Sequence, residues 1–474
     1  MKRALWLWCA MAALSANTVQ PLAEATSDSY RVPAHVFAGD PRGPYETGTF
    51  EELWINEALE DPSTADPHDK RKVMVQIWYP ATVPKRARRA PYVLSPQLYA
   101  KDHWVHQLEH VQTQSFLDAP VAATVERFPV LIYNHGGGNP HFSATFQTEF
   151  LASHGYVVVS IGHSGANDIE RFPDGSSYRN DGVSWRASPP ENAQLASRDG
   201  FEYVWQHSDL SLFVKDISFA LDRLGAMNAN PKHRFYERLD LDRVGSLGWS
   251  LGGFISLQAT RDEPRIKAAV NLDGWPYGLM GSNGAVTRGV ERPVLLMFAG
   301  PSEAAGIPAY PGGEVDAEQV ELARAAYTYY WTMLRRSTAD WYYVTIARTD
   351  HGNFSDPPLF AASDPEWLHP RVAHAIINGY VLEFFDKHVR GSQEATPLLS
   401  GERHFPEATL LRPGRTQHDT PRRYSKTQPA RISSTHLREA LPNSRGHRIR
   451  HRLTQSTGAS KPCRALTTIT FTRS

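Results

Sequence analysis

Short apolar runs alternate along this chain with segments of helical period, and that alternation predicts an α/β fold whose mostly parallel central sheet carries helices on both faces. Phe128–Asn134 and residues 156–161 read as strands buried on both sides, because apolar residues follow one another without a polar alternate. Between them residues 142–154 predict a helix, so the stretch is a strand–helix–strand unit. Residues 244–248, 268–272 and Trp341–Ile346 are further apolar strands. Residues 208–222 and 372–386 carry apolar positions at helical spacing, and the second helix should pack on the sheet and close the domain. The stretch from His163 to Ser208 has no period and is rich in Gly, Asn, Ser, Pro and aromatic residues. On an open α/β sheet such an insertion lies over the carboxyl ends of the strands, so residues of about 165–205 read as a lid or pocket wall. Phe172, Tyr178 and Trp185 within it, and Trp249 outside it, are candidate pocket residues, with residues 300–313 as the opposite rim.

The chemistry begins where the strand at 244–248 runs into Gly248-Trp249-Ser250-Leu251-Gly252, a Gly-x-Ser-x-Gly turn. A serine hydroxyl is a poor nucleophile until a base takes its proton, so the chain must lift Ser250 onto a sharp turn within a histidine's reach. Gly248 and Gly252 permit the turn, and the Leu251 amide is left facing the place where an oxyanion would form. A second amide is expected from the loop after an earlier strand. Asn134-His135-Gly136-Gly137-Gly138 fits, and Gly137 is the candidate donor. A phosphate cradle is disfavoured, since neither a following Lys-Ser/Thr nor Gly-x-Gly-x-x-Gly spacing is present.

Acid and base should follow at the ends of later strands. Asp273 ends the run at 268–272, and His351 follows Trp341–Ile346 in Asp350-His351-Gly352. Histidine titrates near neutrality and a carboxylate can fix its tautomer. Asp350 is the rival acid, ranked below Asp273 because adjacent residues in extended chain point apart.

These residues resemble a known family. The elbow at Ser250, the acid in Asn271-Leu272-Asp273-Gly274-Trp275 twenty-three residues on, and the base in Asp350-His351-Gly352-Asn353-Phe354 are similar to the plasma-type platelet-activating factor acetylhydrolases and their bacterial relatives. The resemblance covers roughly residues 30–400 and includes residues 71–80, an alternating strand that enters the sheet in these proteins. It implies an α/β-hydrolase fold, Ser250 as nucleophile, Asp273 as acid, His351 as base, and the Gly137 and Leu251 amides as oxyanion hole. Two departures bear on acyl-chain preference: Trp249 stands where the family more often has His, and the oxyanion loop has an extra glycine.

Charge changes the picture at the ends. The formal net charge is zero, yet residues 412–474 hold fourteen Lys or Arg against two Asp or Glu, which leaves the rest of the chain acidic. This tail has no sustained period and reads as a disordered extension, solvated or attracted to a membrane surface or cell envelope. It lacks the interleaved aromatics that would favour nucleic acid. Residues 1–25 have a basic start and a short apolar run, the pattern of a signal peptide cleaved after Ala16 or Ala25, which implies a secreted or periplasmic protein. The catalytic domain is then 26–411. Removal of Cys9 would leave Cys463 alone, without an internal disulfide. His106-x-x-Glu109-His110 matches a zinc-peptidase pattern, but no third ligand follows on a helix, so neither a metal nor another cofactor is expected. Asn353 opens a glycosylation sequon too close to His351 to be used.

The residues point to a carboxylic ester hydrolase working through an acyl-enzyme on a small-molecule or lipid ester, with short or oxidised acyl groups implied by the resemblance. A polyester or cutinase-like hydrolase and a peptidase are alternatives. A non-catalytic binding protein on the same fold is the reading from another class.

Overall fold

Six neighbouring parallel strands carry everything of functional interest, and the order in which the chain visits them fixes where a site can form. The computed structural model describes residues 32–37, 42–179 (without 63, 65, 100, 101, 125, 167 and 168), 198–300 (without 277 and 280–283) and 317–413 (without 363 and 395). The expected signal segment, Trp185, residues 301–313 of the expected rim and the tail beyond 413 lie outside them. The strands are β1 (Glu46–Glu60), β2 (Lys70–Ala81), β3 (Arg89–Pro91), β4 (Gln112–Leu117), β5 (Phe128–Asn134), β6 (Val157–Gly162), β7 (Ile169–Arg171), β8 (Ser177–Arg179), β9 (Leu239–Trp249), β10 (Ile266–Leu272), β11 (Val294–Ala299), β12 (Trp341–Ile346) and β13 (Ala408–Leu411). All but the β7–β8 hairpin join one sheet in the order β13-β12-β11-β10-β9-β5-β6-β2-β1-β4-β3. Neighbours from β12 to β6 are parallel, whereas β13 runs antiparallel to β12, β2 to β6 and β1 to β2, and β4 joins β1 in parallel.

The chain passes from β5 outward to β6, returns to β9, and then proceeds in the opposite direction to β10, β11 and β12. Strand order therefore reverses between β5 and β9. A crevice opens at such a switch point beyond the carboxyl ends of the strands. Asn134 and Gly248 are paired in register there, and the glycine loop and the Ser250 turn leave the sheet side by side.

Helices α1 (Thr145–Ser153) and α6 (Pro370–Phe385) cover one face, and α3 (Ser211–Ala229), α4 (Leu251–Asp262) and α5 (Ala317–Arg336) the other. α2 (Arg198–His207) adds Val204 and Trp205 to the second face. Alternate residues of one strand feed different cores: Val130 and Ile132 belong to the core that holds Phe213, Ile217 and Ile255, while Leu131 and Tyr133 belong to the one that holds Leu151, Ile376 and Phe384. This explains the unbroken apolar runs, since both sides of each strand are dry.

The structure differs from the expected elements in several places. α1 begins at Thr145 rather than 142, because residues 141–144 form a turn. α3 begins at Ser211 and continues to Ala229, past the expected end at 222. The alternation expected over residues 71–80 stops early, and β2 is buried from Val73 to Ala81 because β1 and β6 flank it. β1 and α5 were not anticipated. β1 carries a polar second half that lies outside the dry part of the sheet, so its sequence shows no strand period.

Asp356 ties two distant segments together. It follows the loop after β12, yet its carboxyl accepts the amides of Thr145 at 2.7 Å and Phe146 at 3.0 Å and the Tyr92 hydroxyl at 3.1 Å. It therefore caps α1 from 210 residues away. Burial pushes this carboxyl up to about 7, against the pull of the two amides and of Tyr92. A folded value above the ordinary value of about 4 means that its contribution to stability is fully present below about pH 4 and is lost as pH rises through about 7. The stability difference between wild type and Asp356→Asn should accordingly move toward the variant as pH is raised from about 4.5 to 8. Denaturant titrations at both pH values measure it, and a difference that is constant or moves the other way refutes the assignment.

Candidate active site

The turn at Ser250 is set by backbone sterics. Ser250 links β9 to α4 with φ 54° and ψ −119°, a left-handed conformation that a residue with a Cβ adopts only under strain. Its amide donates to the Leu272 carbonyl at 2.9 Å, and its own carbonyl accepts from Gly253 at 3.0 Å. A Cβ on Gly252 would lie 1.9 Å from the Asn134 carbonyl oxygen, and one on Gly248 would lie 2.4 Å from the Gly252 carbonyl. Both glycines are therefore required by packing at the β5–β9–α4 junction. Gly252→Ala is expected to cost more than about 4 kcal/mol, since the obstacle is backbone that cannot swing away. A melting temperature within a few degrees of wild type would refute that.

Asp273 ends β10 with φ 53°. One carboxyl oxygen accepts the Ala299 amide at 2.9 Å, and the other lies 2.7 Å from His351 Nδ1. The carboxylate can only accept, so His351 carries its proton on Nδ1 toward Asp273, which leaves Nε2 for a reacting group. The ring is 23 % exposed and the carboxyl 12 %, so the pair faces the crevice without lying open to bulk water. Asn271 and Tyr330 hold the turn behind the acid: Asn271 Oδ1 accepts from the Gly274 amide at 2.9 Å, its Nδ2 donates to the Tyr330 hydroxyl at 2.9 Å, and that hydroxyl donates to the Gly274 carbonyl. Sequence reasoning assigned neither a role. Asn271 could have been found, since it sits on the Asp273 side of the strand two residues earlier, whereas Tyr330 lies on the unanticipated α5.

Asp350 is occupied elsewhere. Its carboxyl accepts from the Asn353 amide at 3.2 Å while Asn353 Oδ1 accepts from the Asp350 amide at 2.8 Å, a reciprocal cap on the His351–Phe354 turn. Burial raises this carboxyl above the ordinary value. The sequon side chain at Asn353 is thus buried and engaged in the fold.

Gly137 and Leu251 are brought together: a Cβ on Gly137 would sit 3.7 Å from the Leu251 side chain. Leu251 is the first residue of α4, where helix geometry leaves the amide without an intrahelical acceptor. Trp249 packs its ring where a Cβ on Gly136 would come within 2.6 Å, donates Nε1–H to the His351 carbonyl at 2.9 Å, and holds its ring centroid 5.0 Å from that of His351. At 6 % exposure it packs the Gly136 loop against the His351 loop. Phe172 and Tyr178 form a small buried cluster with Met74. Of the zinc-like motif, His106 Nδ1 pairs with Glu109 on the surface and His110 Nε2 meets the Val32 carbonyl. Among the described residues no group of three His, Cys, Asp or Glu side chains could hold a metal, and no helix is long and apolar enough to cross a membrane.

Comparison with known proteins points to the same fold class. A family model described as PET hydrolase-like matches residues 211–304, which include the elbow and Asp273. The chain is 24% identical over 173 residues to a platelet-activating factor acetylhydrolase of Bos taurus, covering 32% of this chain and 36% of that protein. It is 25% identical over 167 residues to a probable 1-alkyl-2-acetylglycerophosphocholine esterase of Arthroderma benhamiae, covering 35% and 36%. The matched region thus spans about a third of these relatives. A solved ferulic acid esterase from Streptomyces cinnamoneus superposes with a TM-score of 0.56 at 26% identity, covering 80% of this chain and all of that one. Sheet order and the solved structure together show an α/β-hydrolase fold, with similarity to platelet-activating factor acetylhydrolases over about a third of the chain.

Proposed function

We propose that this chain is a serine carboxylic ester hydrolase acting through an acyl-enzyme. The observation that carries the reading is the 2.7 Å contact between His351 Nδ1 and Asp273, set beside a serine held in a strained turn at the strand-order switch point. Ser250 Oγ attacks the ester carbonyl as His351 Nε2 takes its proton, and Asp273 keeps the Nδ1 proton and stabilises the imidazolium. The Gly137 and Leu251 amides receive the developing oxyanion, each such donor being worth about 10² to 10³ in kcat. His351 then protonates the leaving alcohol, and water repeats the sequence on the acyl-enzyme.

Short or oxidised acyl esters of phospholipids are the favoured substrates, in line with the acetylhydrolase relatives. A polyester or aryl ester is the second reading, supported by the PET hydrolase-like match and the ferulic acid esterase neighbour. Export by the amino-terminal segment, and a surface tether formed by the basic tail, belong to the same proposal. Rates on p-nitrophenyl esters of increasing chain length separate the substrate readings.

A fluorophosphonate probe should label Ser250, and Ser250→Ala should lose both labelling and turnover while keeping its circular dichroism. Retention of more than about 1% of activity would overturn the nucleophile, and unlabelled folded wild type would favour a binding protein. Asp273→Asn should lower kcat on the order of 10⁴-fold, because an amide can favour the wrong tautomer of His351. Asp350→Asn should cost about tenfold or less, its loss falling on the loop cap. Measuring kcat for both on one short ester at one pH decides between the acids, and a larger loss at position 350 would move the acid there.

A further inference from the structure

The Gly136–Gly137 peptide is a single planar unit, so whatever holds the Gly136 carbonyl also aims the Gly137 N–H. Two donors hold that carbonyl: His135 Nδ1 at 2.8 Å and the Asn139 amide at 3.1 Å. His135 Nε2 accepts the His163 amide at 3.0 Å. With one ring nitrogen accepting, the single proton of a neutral imidazole must sit on Nδ1, where it points at Gly136. Burial keeps the ring neutral by lowering it to about 3.

His163 is itself fixed at both ring nitrogens, by Asp216 Oδ2 through Nδ1 and by Asn134 Oδ1 through Nε2, each at 2.9 Å. Asp216 in turn takes a two-pronged contact from Arg71, Nε to Oδ1 at 3.0 Å and Nη2 to Oδ2 at 2.7 Å, and Arg71 Nη1 reaches Asp61. Arg71, His135 and His163 are fully buried, and Asp216 is 1 % exposed. Charges taken out of water add little net stability and can be replaced by apolar side chains at no loss, so stability alone does not account for this chain of contacts. We propose that His135, anchored through His163 and Asp216 to Arg71, is a positioning residue that holds the Gly136–Gly137 peptide with its amide toward the oxyanion. A pair of adjacent glycines has no side-chain restraint against a peptide flip, and the imidazole supplies one.

This proposal rests on the ester hydrolase reading above. Its test is hydrolysis of p-nitrophenyl acetate by wild type, His135→Leu and His135→Asn, with inhibition by a trifluoromethyl ketone whose serine adduct carries an oxyanion. His135→Leu should lose about 10² in kcat with KM changed by less than about threefold, and should bind the ketone weaker by a similar factor. His135→Asn, whose Nδ2 lies where the imidazole Nδ1 does and can donate to Gly136, should recover to within about tenfold of wild type. A folded His135→Leu with wild-type kcat and ketone affinity overturns the proposal, as does an Asn variant no better than Leu. Should His135→Leu not fold, His135→Gln takes its place: its amide reaches the position of Nε2 rather than Nδ1, so the contact with Gly136 is lost, and a tenfold or larger fall in kcat at constant KM supports the proposal while wild-type kcat overturns it. A wild type inert to both fluorophosphonate and ester removes the hydrolase reading and this proposal with it. An active wild type with a fully active Leu variant removes this proposal alone.

Discussion

The close approach of the α4 backbone to the end of β5 is the constraint on which the site depends. Gly252 passes so near the Asn134 carbonyl that no side chain fits between them, and that proximity forces the chain to turn sharply at Ser250. The same contact places the glycine loop after β5 beside the first turn of α4, so the two candidate oxyanion amides are neighbours because the helix cannot lie elsewhere. Strain at Ser250 persists because its amide is tied to β10 and its carbonyl to Gly253, groups already fixed by the sheet and the helix.

The parts that were legible in the sequence are those written in local pattern. β5, β6, β10 and β12 are covered on both faces, so each is an apolar run whatever its neighbours, and Gly-x-Ser-x-Gly is forced by steric contacts within one turn and the adjoining strand. Asp273 could be placed because it terminates such a run. The antiparallel half of the sheet was less legible, since β1 leaves the core partway along its length and its acidic second half imitates no strand period. Arg71 shows the limit most clearly: flanked by Lys70 and Lys72 it reads as a surface position, yet it is completely buried because Asp216, 145 residues away, and Asp61 meet it there.

Trp249 changes meaning between sequence and structure for the same reason. A large aromatic beside a nucleophile suggests a substrate contact, but its ring is taken up by Gly136 and its N–H by the His351 carbonyl. A side chain packed beside Ser250 also holds the His351 loop, so the positions of the Gly136 and His351 loops are tied by one residue. A His at that position would be smaller and could not fill the same space against Gly136.

Side chains from neighbouring strands and loops tie the candidate loops to one another. Trp249 joins the elbow to the base loop, and Asp356 joins the segment after the base loop to the helix after the glycine loop. Asn271 stands between acid and elbow, so close that a Cβ on Gly253 would lie 1.9 Å from its Oδ1. Single hydrogen bonds of this kind contribute only about 1 kcal/mol to folding, too little to be the reason for so many long-range contacts. Their larger effect is geometric, because a catalytic arrangement loses orders of magnitude in rate from displacements near 1 Å. The braces therefore act on how well the loops hold one position relative to one another, and it is the parallel sheet beneath them that sets where that position lies.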